Sequence, residues 1–159
     1  MAGMALIVGL ALATVQADST GIKRLGAGAF PISSSVEIPP DSRIVYISGT
    51  VPDAIEGAPA ATADARFGDT ETQTRSVLAK IQAQLRQHGM EMGDVVMMRI
   101  FLVAPPGQPR MDFAGMMRGY SAFFATPMQP NKPARSTMEV AGLVDPGWLV
   151  EIEVTAARK

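Results

Sequence analysis

The sequence predicts one α/β domain in which a sheet carries two helices on one face. Two segments whose apolar residues recur at helical spacing, a set of extended segments rich in β-branched and apolar residues, and a length of 159 residues that suits one core lead to that expectation. Hydrophobic residues make up 47% of the chain and charged residues 18%, the balance of an ordinary globular protein. No internal repeat is present and the Pro/Gly-bearing stretches are short, so nothing marks a domain boundary beyond the N-terminal segment.

That first segment stands apart. Met4 to Val15 form an apolar run that ends in Val15-Gln16-Ala17, residue types that a signal peptidase tolerates. Residues 1–17 are therefore expected to act as a signal peptide, leaving 18–159 as the folded domain of an exported, periplasmic or secreted protein. No Lys or Arg precedes the run, so the alternative is an ordinary apolar segment of a cytoplasmic chain. The run is too short to span a bilayer, which needs about 20 apolar residues. No membrane span is expected.

The elements of the domain follow in order. Phe30 to Val36 and Arg43 to Ser48 read as extended segments joined by Pro39-Pro40-Asp41-Ser42, a turn whose prolines exclude helix, and the pair is expected to form a hairpin. A Gly/Ala/Pro-rich loop, Thr50 to Gly68, leads into a helix whose start carries Thr70 and Gln73 at capping-box spacing and which should run to about Gln87. Its residues Val77, Leu78, Ile81 and Leu85 form one apolar stripe. Val95 to Val103 is apolar and β-branched enough for a central strand, stopped by Pro105-Pro106-Gly107. From Met111 to Phe124, Phe113, Met116, Met117, Tyr120, Phe123 and Phe124 recur at helical spacing, a stripe that reads as core packing rather than a ligand box. Two last strands, Ala134 to Ala141 and Trp148 to Ala157, are joined by a turn containing Asp145-Pro146-Gly147.

Composition removes several functions. Fourteen Lys/Arg against fifteen Asp/Glu give a net charge of -1, without the basic excess that binding phosphate backbones requires, so nucleic acid is not an expected partner. The absence of cysteine removes disulfides, thiolate zinc sites and a cysteine nucleophile. His88 is the single histidine and precedes Gly89 at the end of a helical pattern, where an imidazole suits the negative end of the helix dipole better than it suits a catalytic triad or metal site.

The last two strands hold the most informative pattern, because successive side chains alternate between sheet faces. Arg135, Thr137 and Glu139 share one face, opposite Ala134, Ser136, Met138 and Val140; Glu151, Glu153 and Thr155 oppose Val150, Ile152, Val154 and Ala156. The apolar sides are expected under the helices. That leaves a single sheet face carrying an arginine and several carboxylates, either bathed in water or turned toward another subunit.

At these residues the chain resembles the RidA/YjgF family, from about Phe30 to the end. Ile47-Ser48-Gly49-Thr50-Val51-Pro52, Gln73-Thr74-Arg75 through Leu85, Val95-Val96 through Phe101-Leu102, and Asp112-Phe113 followed by Tyr120-Ser121-Ala122-Phe123-Phe124 match its segments in order. Pro133-Ala134-Arg135-Ser136, Glu139-Val140-Ala141 with Leu143, and Val150-Glu151-Ile152-Glu153 resemble its signature most strongly. The resemblance implies a chorismate-mutase-like fold, a mixed sheet with two helices on one face, assembled as a barrel-like homotrimer with sites at subunit interfaces. It also implies a deaminase that hydrolyses small 2-imino or enamine carboxylic acids to 2-oxo acids and ammonia, with no metal, nucleotide or covalent cofactor. Arg135 then matches the carboxylate-binding arginine, Glu151 the water-positioning glutamate, and Ser48 and Gly49 the pocket lining.

Those roles suit the residue types. A guanidinium is a rigid fork of donors that fits a carboxylate bidentately, and hydrolysis of C=N needs a water held by a group that shares its proton, as a carboxylate can. Three substrate-binding positions depart from the family pattern: Ile32 where a tyrosine is usual, Met117 in place of an asparagine, and Thr137 in place of a cysteine. They imply a more apolar pocket and a substrate unlike the smallest enamines. The competing function is a noncatalytic protein that holds a carboxylate metabolite in the same clefts. Ribonuclease activity, attached to some members, would need the basic excess and histidine pair that this chain lacks.

Overall fold

Strand β5 (Val95–Leu102) is the axis of the computed structural model, which describes residues 15–17, 21–57 and 66–159. It is bordered in parallel by β6 (Ala134–Glu139) and antiparallel by β7 (Val150–Arg158), whose other edge pairs antiparallel with β4 (Arg43–Thr50). Beyond β6 lie β3 (Ser33–Glu37), β2 (Lys23–Gly26) and β1 (Val15–Ala17), giving a seven-stranded mixed sheet in the order β1-β2-β3-β6-β5-β7-β4. The expected signal peptide lies outside the described residues except for Val15–Ala17, which pair with β2.

Helices α1 (Thr70–Gln87) and α2 (Phe113–Tyr120) cover one face of this sheet. The stripe read from the sequence is the buried one: Val77, Leu78, Ile81 and Leu85 pack with Met116 and Tyr120 of α2 onto Met98, Ile100, Leu102, Val150, Ile152 and Val154. Each such large apolar side chain contributes about 1.5–3 kcal/mol by leaving water. The two helices approach closely at Gly119, where an added Cβ would lie 2.7 Å from the Cβ of Thr74. A smaller cluster of Ile22, Val96 and Ala157, with Val36 and Ile38 against it, seats the β2–β3 hairpin.

The start of α1 differs in detail from the expected capping box. Asp69 is the cap, its carboxylate accepting from the Thr72 amide at 2.8 Å. Gln73 is fully buried and instead ties two loops together, donating to the carbonyls of Gly68 and Gly147 at 3.0 Å and accepting from the Leu149 amide at 2.7 Å. His88 ends α1 exposed, its carbonyl accepting from Arg43.

One pairing overturns an expectation. Residues 30–36 and 43–48 do not form a hairpin: β3 pairs with β2 and β6, while β4 lies at the opposite edge against β7. Strands β6 and β7, consecutive in the chain, have β5 between them in the sheet. The second helix is shorter than the Met111–Phe124 stripe, ending at Tyr120 and continuing in turns through Phe123 and Phe124.

Candidate functional site

Pairing through β5 decides which face each site residue takes. Arg135 and Thr137 stand opposite Met98 and Ile100, which are buried under the helices, whereas Glu151 and Glu153 stand opposite Phe101 and Arg99 on the other side of the sheet. The single face expected to carry both the arginine and the carboxylates therefore does not exist. Arg135 lies on the helix side and Glu151 on the open side, and the sequence reading failed because alternation groups residues within a strand without saying which group meets the core.

On the helix side, Arg135 is half-buried in a ring of apolar groups. Its Nη1 donates to the Met117 sulfur at 3.3 Å, and its guanidinium carbon lies 4.4 Å from the Tyr120 ring centre, 5.7 Å from that of Phe30 and 6.0 Å from that of Phe113. These contacts hold the guanidinium through dispersion and ring quadrupoles without neutralising it. No carboxylate among the described residues pairs with it. Burial lowers the Arg135 pKa and Tyr120 opposes that shift, but arginine starts so high that it stays charged at neutral pH. Burial likewise raises the Tyr120 phenol well above its ordinary value, so it remains a neutral donor, and it donates to the Pro31 carbonyl at 2.9 Å. Ile32 follows Pro31 and packs against the core. The Thr137 hydroxyl is buried with no hydrogen-bond partner.

On the open side, Glu151 lies across Gly49. A Cβ at Gly49 would collide with the Glu151 carboxylate, 2.9 Å from its Cδ, so the absence of a side chain is what lets the glutamate lie there. Ser48 and Gly49 occupy an interruption of the β4–β7 register and are exposed. Ser48 borders a depression of about 180 Å³ shared with Tyr46, Met97, Arg99, Glu153 and Thr155. Arg99 and Glu153 pair there at 3.3 Å, which distinguishes Glu153 from Glu151, whose carboxylate has no ion pair among the described residues. Tyr46 stands 78% exposed on this face.

The two groups are well separated within one chain. Their partners on β5, Met98 and Phe101, are about 10 Å apart along the strand, and β6 and β7 are about 10 Å apart across it. A larger cavity of about 640 Å³ opens between the starts of α1 and α2, lined by Asp69, Thr70, Arg110, Met111 and Asp112 among others, and none of the expected site residues borders it. Among the described residues, no three His, Asp or Glu side chains cluster in a way that could hold a metal ion, and no helix is long and apolar enough to cross a membrane.

Residues 29–158 match the family described as Endoribonuclease L-PSP. The chain belongs to the RidA/YjgF family. It is 32% identical to the 2-iminobutanoate/2-iminopropanoate deaminase of Salmonella typhimurium over 116 residues, covering 73% of this chain and 80% of that one. The structure of the Rid protein YyfB of Yersinia pestis is similar with a TM-score of 0.59 and 28% identity, over 79% of this chain and 86% of that one. The structure of E. coli TdcF with bound serine is similar with a TM-score of 0.57 and 26% identity, over 77% of this chain and 85% of that one.

Within this RidA/YjgF fold the expected site residues sort into two sets. Arg135, Met117, Ile32 and Thr137 belong to the helix side, and Ser48, Gly49 and Glu151 to the open side. Phe30, Phe113 and Tyr120 were not singled out for the site from sequence. The signal lay in the aromatic stripe of the second helix, which serves the core through Tyr120 and walls the arginine with the same ring.

Proposed function

We propose that the protein hydrolyses 2-imino and enamine carboxylic acids to 2-oxo acids and ammonia, at clefts where the helix side of one copy meets the open face of the next. The observation that carries this reading is Arg135: a half-buried cation with apolar walls and no carboxylate partner among the described residues. Such a group suits the carboxylate of a small acid, which the guanidinium would grip with the N–H donors left beside those turned to Met117 and Tyr120. Similarity to an iminobutanoate deaminase and to a protein crystallised with an amino acid supports the same class of ligand.

Glu151 of an adjoining copy would hold the water. As its oxygen bonds to the imine carbon, the C=N π pair moves to nitrogen, and the water proton passes through the glutamate to that nitrogen. The hydroxyl proton of the carbinolamine then passes to its amine nitrogen, the C–N bond breaks with its electron pair leaving on ammonia, and the hydroxyl oxygen forms the new C=O, so atoms and charge balance without an external oxidant. Fixing carboxylate and water in one cleft supplies proximity, which is why both halves are needed. Closure of the open face around a threefold axis would bury Tyr46 and give three such clefts.

A second reading rests on the separation of Arg135 from Glu151. If copies do not assemble, Arg135 alone can hold a carboxylate without turnover. The deciding assay supplies imines generated in situ by an amino-acid oxidase and follows 2-oxo acid release. Acceleration over the uncatalysed rate is expected; none, with carboxylates still bound, would leave the binding-protein reading.

A further inference from the structure

We infer that the side chain of the substrate acid is apolar, selected by Phe30, Met117 and Phe113. This rests on the reading that Arg135 anchors the carboxylate. A carboxylate gripped by the guanidinium has its Cα and side chain within reach of groups already crowded around Arg135. Those groups are two phenyl rings with centres 5.7 and 6.0 Å from the guanidinium carbon and a thioether sulfur 3.3 Å from Nη1. Phe30 is 43% exposed although its ring faces a cation, so it presents apolar surface at the rim that a ligand would cover.

On this half of the cleft polar side chains have little to meet. The Tyr120 hydroxyl already donates to Pro31, and the Thr137 hydroxyl is buried without a partner among the described residues. A second carboxylate on the ligand would need a second cation, and among the described residues Arg135 is the one that these rings and this sulfur surround. An unpaired polar group enclosed by apolar walls is penalised, whereas added methylenes are rewarded.

The experiment compares kcat/KM for imines derived from leucine, methionine, alanine, serine and glutamate on the full chain. Leucine- and methionine-derived imines should exceed the alanine- and serine-derived ones by about 10-fold or more, the discrimination that apolar pockets achieve per added group. Met117→Gln and Phe30→Ala should each narrow that ratio severalfold, while Asp69→Ala, outside the cleft, should leave it unchanged. A flat profile, or a preference for serine or glutamate, would overturn the inference while leaving the deaminase reading intact. Failure of every imine would sink the deaminase reading instead. Calorimetry with 4-methyl-2-oxopentanoate against pyruvate would then still test selectivity, tighter binding of the branched acid supporting it and equal binding refuting it.

Discussion

The two sides of the sheet handle charge in opposite ways. On the helix side, Arg135 is half-buried and walled by two aromatic rings of α2, the Phe30 ring and a thioether, so its position is fixed by packing that also belongs to the core. On the open side, Glu151 has no ion-pair partner among the described residues and keeps its position only because Gly49 has no side chain. In the proposed function these are complementary halves of one chemistry, the binding group built into the fold and the reactive group presented for a neighbouring copy to use.

The largest effect should come from breaking the packed half. Arg135→Ala removes a charge-assisted anchor at a shielded site, which typically costs about 2–5 kcal/mol, so kcat/KM and carboxylate affinity should both fall by roughly 30-fold or more. Steady-state kinetics and calorimetry measure the two; unchanged values in both would remove Arg135 from the site. Glu151→Gln keeps shape and loses the base, and should lower kcat about 100-fold while ligand affinity stays near the original. Wild-type turnover in that variant would show that Glu151 does not handle the proton.

Gly49→Ala sharpens the contrast more gently. The new methyl displaces the flexible end of Glu151 rather than backbone, so kcat should fall about 10-fold with melting temperature nearly constant, since misplacing a reactive group by an ångström is enough. Loss of stability comparable to a core truncation would mean that Gly49 serves the fold instead. Asp69→Ala touches neither half and should affect only stability, by about 1 kcal/mol, read from thermal melts. The Thr72 amide and then its hydroxyl lower the Asp69 pKa. A depressed folded-state pKa stabilises the fold fully above the unfolded value, near pH 4, and that contribution fades as pH falls through the folded value. Melts of wild type and Asp69→Ala should therefore converge in acid.

Much of this was legible in the sequence. The stripe of Val77, Leu78, Ile81 and Leu85, the central strand and the alternation of Val150 to Ala156 are local patterns that burial enforces. Pairing was less legible, because it is a non-local choice. Nothing in residues 30–48 says that β3 will join β6 while β4 crosses to the far edge. The faces of β6 were misread for the same reason. Met138 looks like a core residue beside Glu139, yet pairing with Phe101 turns it toward the open face and brings Arg135 beneath the helices. The separation of Arg135 from Glu151 follows from that register alone.

A subunit-mixing experiment tests the sharing of the site most directly. Arg135→Ala and Glu151→Gln chains, each nearly inactive alone, are unfolded, combined in equal amounts and refolded together, with mixed assemblies verified by native mass spectrometry. If each cleft takes its arginine from one copy and its glutamate from the next, about one quarter of the clefts in a random cyclic assembly contain both intact residues. Activity should recover to roughly that fraction of wild type. Verified mixed assemblies with no activity above the separate variants would contradict a site shared between copies.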